Sequence, residues 1–323
     1  MENNLIVSVS PHVHGKRTTS NVMLDVVIAL LPAAIAGVVI FGINAAILCA
    51  VCVASCVVFE FLFTKLCHRR TTVGDFSAVV TGLLLAMNVP ATLPIWQAVV
   101  GSFIAIVIVK CLFGGLGCNF ANPAITARVV MLIAFTGTMA AAVPPKAIAD
   151  SVDVATYATP LSVLPAGLES ETVTAFMEQT SIMDMFLGVR GGALGETSAA
   201  ALLIGFVYLL VRKVITWHTP VVFIGAVFAL AFAITGDMTM ALYYTLSGGT
   251  FIGAIFMATD YVTSPCTAKG KIIFALGCAV ITTLIRFFGS YPEGVSFSIL
   301  FMNILNPYID KWTMKKPFGG VKA

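Results

Sequence analysis

The sequence predicts an all-α integral membrane protein, a single membrane domain over residues 1–323 with about ten transmembrane helices. Three observations predict it. Hydrophobic residues make up 59% of the chain and charged residues 10%, with a mean hydropathy of +1.00; soluble domains carry roughly 25% charge. Apolar runs suited to a hydrocarbon core of about 30 Å recur along the whole length. Lys and Arg are divided unevenly between alternate connections, as the positive-inside bias requires.

The ten segments are 22–41, 45–63, 76–89, 95–113, 124–142, 197–215, 221–235, 238–257, 272–288 and 294–309. Several fall short of the ~20 residues that a straight span needs. With the N-terminus in the cytoplasm, Lys65, Arg69, Lys110, Arg128, Arg212, Lys213 and their like all fall on that side. Of the 18 Lys and Arg, only Lys146, Arg190 and Arg286 then lie outside. Both termini, residues 1–21 and 310–323, are therefore expected in the cytoplasm, and residues 143–195 form one long extracytoplasmic loop. The acids of that loop, including Asp150, Asp153, Glu169 and Glu171, make it unlike a nucleic-acid surface; the net charge of +3 belongs to the cytoplasmic rim. The first apolar run is long enough to stay in the membrane and does not read as a cleavable signal.

Two internal echoes suggest how the helices are arranged. Gly74-Asp75-Phe76-Ser77 opens the third segment and Gly236-Asp237-Met238-Thr239 the eighth; Phe113-Gly114-Gly115 closes the fourth and Phe288-Gly289-Ser290 the ninth. Each pair is five segments apart. An odd number of spans per repeat turns the second copy over, so the expectation is a five-plus-five inverted repeat. Asn88-Val89-Pro90 and Ser247-Gly248-Gly249 interrupt equivalent segments, and interrupted helices are tolerated where protein, not lipid, surrounds the freed backbone groups.

Ionisable groups at membrane depth are costly and mark pathways or relays. Asp25, Asp75 and Asp260 are the candidates for an ion pathway. Asp25, Asp75 and Glu196 also read simply as acids at helix N-termini or at the interface. Asp260 stands in the hydroxyl-rich stretch from Phe256 to Pro265, which has a re-entrant character. The eight cysteines do not form the four-thiolate set that an iron–sulfur cluster needs within one chain. His12, His14, His68 and His218 lack metal-like pairing, and no metal site, catalytic nucleophile or general base is expected. The glycine turns at 113–123 and 190–198 do not follow strands, which excludes a dinucleotide fold.

Taken jointly, Ser10-Pro11-His12, the run from Met23 to Pro32, Gly114-Gly115-Leu116-Gly117 with Asn122-Pro123-Ala124, the stretch from Phe256 to Pro265, and Phe288-Gly289-Ser290-Tyr291-Pro292-Glu293-Gly294 resemble one family. It is the family of the D subunit of the Rnf electron-transport complex and the B subunit of the sodium-pumping NADH:quinone oxidoreductase. The likeness covers nearly the whole chain, and the short stretch before the first apolar segment is more similar to the Rnf protein. The resemblance implies a ten-span inverted repeat similar to urea and ammonium transporters. It implies an enzyme subunit, part of an ion-translocating ferredoxin:NAD+ oxidoreductase in a bacterial or archaeal cytoplasmic membrane, coupled to Na+ or H+. The implied partners are the other Rnf subunits: the A and E membrane proteins, the flavin-bearing G component, the NAD-reducing C component and the ferredoxin-facing B component. A flavin transferase would act during maturation. A small-solute channel on the same fold, and the quinone-reductase subunit, are the alternative functions.

The family carries FMN joined through its phosphate to a threonine between the fifth and sixth spans, and a second, noncovalent flavin such as riboflavin. The segment from Asp153 to Leu161 matches the attachment motif at Asp153, Thr156, Ala158 and Thr159, with Tyr157 where glycine is usual. Thr159 is the attachment residue that the resemblance implies, and Thr156 its rival. On residues alone, Thr159-Pro160 reads as a turn.

Overall fold

The protein is described here from a computed structural model. It describes residues 18–69, 71–141, 143–145, 159–164, 173, 176–177, 180–196, 198–289 and 293–314. Asp153, Thr156, Tyr157 and most of both terminal segments lie outside these residues.

Among the described residues the structure is helical. The helices are α1 (Thr19–Phe41), α2 (Ile43–Leu66), α3 (Ser77–Met87), α4 (Ile95–Cys111), α5 (Pro123–Ala134), α6 (Thr136–Met139) and α7 (Pro160–Val163). They continue with α8 (Ile182–Leu187), α9 (Ala199–Val211), α10 (His218–Thr235), α11 (Met238–Leu246), α12 (Thr250–Met257), α13 (Ala268–Phe288) and α14 (Val295–Thr313). Each segment expected from the sequence contains a helix among the described residues. Among the described residues, only α1, α2, α10 and α13 are long and apolar enough to cross a membrane alone. The pair α11 and α12 qualifies as one broken span, bent by 66°. Helices α3, α4, α5 and α9 are apolar but have 10–17 residues. The expectation that several segments fall short of a straight span agrees with these lengths.

Local chemistry sets the boundaries. Thr18 caps α1 by accepting from the Asn21 N–H, Asn122 caps α5 through the Ala124 and Ile125 N–H groups, Asp237 caps α11 through Met240, and Thr267 caps α13 through Gly270. These are the side-chain oxygens that helix N-termini select. Pro123 follows Asn122 at the first helical position, where its missing N–H costs nothing. The last eight residues of α4, Ile104–Cys111, and the last five of α12, Gly253–Met257, are π-wound.

Helix α2 packs on α3 and α4, and α4 on α5; α10 packs on α11 and α13, and α13 on α14. The groups meet where α1 crosses α9 and where α5 crosses α14. Two of these contacts depend on glycine. A Cβ on Gly82 of α3 would lie 2.7 Å from the Val53 Cα of α2, and one on Gly205 of α9 would collide with the Ala29 carbonyl of α1. Close backbone approach of this kind drives helix association where apolar burial alone discriminates little.

The described residues between 143 and 195 pack on the bundle. Leu161, Leu164, Val173 and Met185 are buried against Tyr243 and Tyr244 of α11, and the Tyr243 hydroxyl donates to the Thr180 carbonyl. Further on, the Leu194 N–H donates to the Val89 carbonyl at 3.3 Å and the Gly195 N–H to the Met87 carbonyl at 2.7 Å. The chain thus returns into the bundle and satisfies the carbonyls at the end of α3, groups that no helix can pair internally.

Candidate functional site: a charged cavity between two helix ends

Helix α3 stops at Asn88, whose side-chain amide donates to the Leu84 carbonyl at 2.6 Å. Helix α11 stops at Ser247, where Gly248 takes φ +63° and a Cβ would strike the Leu161 side chain at 2.5 Å. Glycine is required there by conformation and by space. The carbonyls left open at this second end are taken by cations. Arg190 donates to the Leu246 and Glu196 carbonyls; Arg286 of α13 donates to the Tyr244 carbonyl at 2.8 Å, the Ser247 carbonyl at 3.1 Å and the Thr250 hydroxyl at 2.9 Å. A cation at a helix C-terminus also meets the negative end of its dipole.

Between the two ends lies a cavity of about 280 Å³. Its polar wall includes Asn88, Arg128, Arg190, Glu196 and Glu293, its apolar wall includes Leu132, Met139 and Leu161, and Thr159 is on its lining. Arg128 of α5 organises the charges. Its Nη1 donates to Glu293 Oε1 at 2.7 Å, Ser296 Oγ at 2.8 Å and Asn88 Oδ1 at 3.3 Å, while its Nη2 donates to Glu196 Oε1 at 2.8 Å and to Glu293 Oε2. Glu293 is held by both guanidinium nitrogens, the bidentate geometry that Arg favours. Glu196 takes a single bond from Arg128. Both carboxylates stand in connections, Glu196 ahead of α9 and Glu293 ahead of α14. Burial, then the adjacent Glu293 carboxylate, push Glu196 up to about 7. Burial also works to raise Glu293, but Arg128 outweighs it and holds Glu293 below the usual glutamate value.

The residues expected from the sequence are dispersed. Thr159 lies at this cavity, as the residue before α7 and Pro160. Asp25 accepts from Arg212 Nε at 3.2 Å and from the Tyr208 hydroxyl at 3.1 Å, tying α1 to α9. Asp75 accepts from the Ser77 N–H at 2.8 Å and from the Ser77 hydroxyl, fixing the start of α3. Asp260 accepts from the Thr263 hydroxyl at 3.2 Å and lines a second cavity of about 80 Å³ with Asn119, Asn122 and Thr259, on which Ser77 and Lys110 also open.

Three residues change their reading. Arg128 and Lys110, counted from the sequence at the cytoplasmic rim, are buried inside the bundle. Lys110 donates to both oxygens of Glu60 at 2.9 Å and to Ser77 Oγ at 2.6 Å. Glu196, read as an acid at an interface or helix start, belongs to the Arg128 cluster. Arg128 and Glu293 were missed as site residues. The available signal was an arginine inside an apolar run, which is costly without a partner.

Fold and cavity together define a multi-pass, all-helical membrane protein with a charged internal chamber. Comparison places it more narrowly: residues 6–319 match the NQR2, RnfD, RnfE family, and the chain belongs to that family. The D subunit of the Na+-translocating ferredoxin:NAD+ oxidoreductase complex from Acetobacterium woodii is 46% identical, over 99% of this chain and 97% of the relative. The D subunit of the proton-translocating ferredoxin:NAD+ oxidoreductase complex from Clostridium ljungdahlii is 42% identical, over 98% and 97%. The D subunit of the ion-translocating oxidoreductase complex from Halorhodospira halophila is 36% identical, over 96% and 94%.

Proposed function

We propose that this chain is the D-type membrane subunit of a redox-driven translocase that carries electrons from ferredoxin to NAD+ and moves Na+ or H+. The observation that carries the reading is near full-length similarity to two subunits of that name. As an Rnf-type subunit it would assemble with the A, B, C, E and G subunits in a bacterial or archaeal cytoplasmic membrane, with both termini inside.

FMN, esterified through its phosphate to Thr159, is the cofactor of this reading, with Asp153 and Thr156 as motif neighbours. The cavity suits it. Arg128 lines the chamber, its buried Nε–H finds no acceptor among the described residues, and Leu132, Met139 and Leu161 give a planar ring apolar contact. When bound, the flavin supplies the one- and two-electron chemistry that the side chains lack. The chain's own part is positioning: Thr159 anchors, the α3 and α11 ends form the walls, and Arg128 sets the charge. A flavin transferase is required for attachment, and a second flavin such as riboflavin belongs to the same reading.

The ten-span, five-plus-five inverted arrangement, similar to urea and ammonium transporters, is supported by the paired packing of α2 on α3 and α4 with α10 on α11 and α13. Asp75 and Asp237, both at helix starts, add to it. Asp260, with its own cavity, is the best supported of the ion-pathway candidates; Asp25 and Asp75 have structural partners.

Ultraviolet fluorescence of the denatured polypeptide after electrophoresis tests the tether, in cells that possess the transferase. Wild type should fluoresce and Thr159→Ala should be dark. A dark wild-type band would overturn the covalent flavin, and loss only in Thr156→Ala would move it. Activity over a sodium titration, with wild type and Asp260→Asn, decides the ion.

A further inference from the structure

The charges around the 280 Å³ cavity are unevenly matched. Arg190 on its wall donates to backbone carbonyls, and Arg286 behind the α11 break donates to carbonyls and the Thr250 hydroxyl, so two carboxylates share the single guanidinium of Arg128. Glu293 occupies both of its terminal nitrogens. Glu196 holds one bond through Oε1, beside the Glu293 carboxylate, with a side chain only 10% exposed. Two like charges this close in a buried site favour a state in which one of them carries a proton. Glu196, held by Arg128 through one oxygen, is the less restrained partner, and its carboxyl is placed to share a proton with the Glu293 carboxylate.

We propose that Glu196 is a proton-loading residue for the redox centre anchored at Thr159, taking up a proton from water in the cavity when an electron arrives and releasing it when the electron leaves. The inference rests on the flavin reading above. The balance is simple. One electron enters from the reduced-ferredoxin side of the complex, one hydronium ion gives its proton to a Glu196 carboxylate oxygen, and an O–H bond forms while a water molecule is left. On oxidation the O–H bond breaks, the proton returns to water, and Glu196 again pairs with Arg128. No bond to the cofactor is made in either direction. The coupling is Coulombic, and it is strong because the cavity is enclosed by protein of low effective dielectric.

The groups that face Glu196 set the sign. Arg128 comes from α5, Glu293 and Ser296 from the start of α14, Arg190 from the same connection as Glu196, and Arg286 from α13 behind the α11 break. The arginines remain charged throughout, and Glu293 is fixed as a carboxylate by its two bonds to Arg128. Glu196 is the group left to answer an added negative charge, and its position near 7 keeps both protonation states within reach.

The test is the midpoint potential of the covalent flavin against pH in the intact complex, read as the spectral difference between preparations with Thr159 and with Thr159→Ala. In wild type the potential should fall as pH rises through neutrality, approaching the about 59 mV that a tenfold change in proton activity is worth to a one-electron couple. Glu196→Gln should flatten that dependence, and Glu196→Asp should retain it with its inflection moved along the pH axis. A Glu196→Gln complex with a fluorescent band and the wild-type slope overturns the inference and leaves the flavin reading standing. A wild-type band without fluorescence overturns the flavin reading instead. Should Glu196→Gln fail to assemble, Glu196→Asp decides: an unmoved inflection overturns the inference.

Discussion

Replacing Lys110 by methionine removes one charge and leaves a side chain of similar length in place. The ammonium group sits 2.9 Å from each Glu60 oxygen and 2.6 Å from Ser77 Oγ, with side-chain exposures of 2% for Lys110 and 1% for Glu60. In Lys110→Met the Glu60 carboxylate keeps, among the described residues, the Thr72 hydroxyl. An uncompensated buried charge of this kind costs about 3–5 kcal/mol. That is roughly a 150- to 4,000-fold loss in the folded-to-unfolded ratio, at about 1.4 kcal/mol per factor of ten. Glu60→Leu alone strands the ammonium and should cost a similar amount. The double variant carries no charge at the site, and replacing both members of a buried pair is often neutral. The assay is the fraction of detergent-solubilised protein that stays monodisperse through a heating series, for wild type, both single variants and the double variant. Single variants within about 0.5 kcal/mol of wild type, or a double variant as poor as the two losses added, would refute the reasoning, because surface pairs behave that way.

Gly82→Ala should destabilise by about 1–3 kcal/mol, the usual cost of overpacking, since its Cβ would meet the Val53 Cα at 2.7 Å and the Cys52 carbonyl at 2.8 Å; the same heating series reads it. Arg190→Met deprives the Leu246 and Glu196 carbonyls of their donor and should cost about 1.5–3 kcal/mol for each charged hydrogen bond lost, seen as protease sensitivity near residues 188–196. The melting temperature should fall as pH rises from about 4.5 to about 7. Over that window the folded protein keeps a proton on Glu196 that the unfolded chain, with the ordinary value of 4.5, has released. Glu196→Gln should remove that part of the pH dependence.

Helix positions were readable because an apolar run is both the signal and the cause. Helix α1 begins beside Thr18 and α5 begins at Asn122-Pro123, where capping chemistry is local. The lengths were less readable. Helices α3 and α11 end where Asn88 and Arg286 or Arg190 satisfy the last carbonyls, and for α11 those partners come from elsewhere in the chain. Thr159 was reached through resemblance; by itself, a threonine before a proline carries no chemical signal. The Arg128 cluster escaped because its members stand 68 and 165 residues apart in sequence. Each, taken alone, looked like a charge near the end of an apolar run.

The π-wound end of α4 has a consequence for angular phase. A π segment is in effect a helix carrying an added residue, and each residue of an α-helix turns the chain by about 100°. Every side chain beyond Ile104 therefore points where it does because of that surplus. Ordinary winding of α4 with every residue retained would swing the ammonium by about 100° off Glu60, whereas deleting one residue upstream of Lys110 would let the helix relax and keep the ammonium on Glu60. Lys110 is thus aimed by how tightly the backbone is coiled, so an α4 of unchanged length wound throughout as an ordinary helix would lose the pair with every polar group intact.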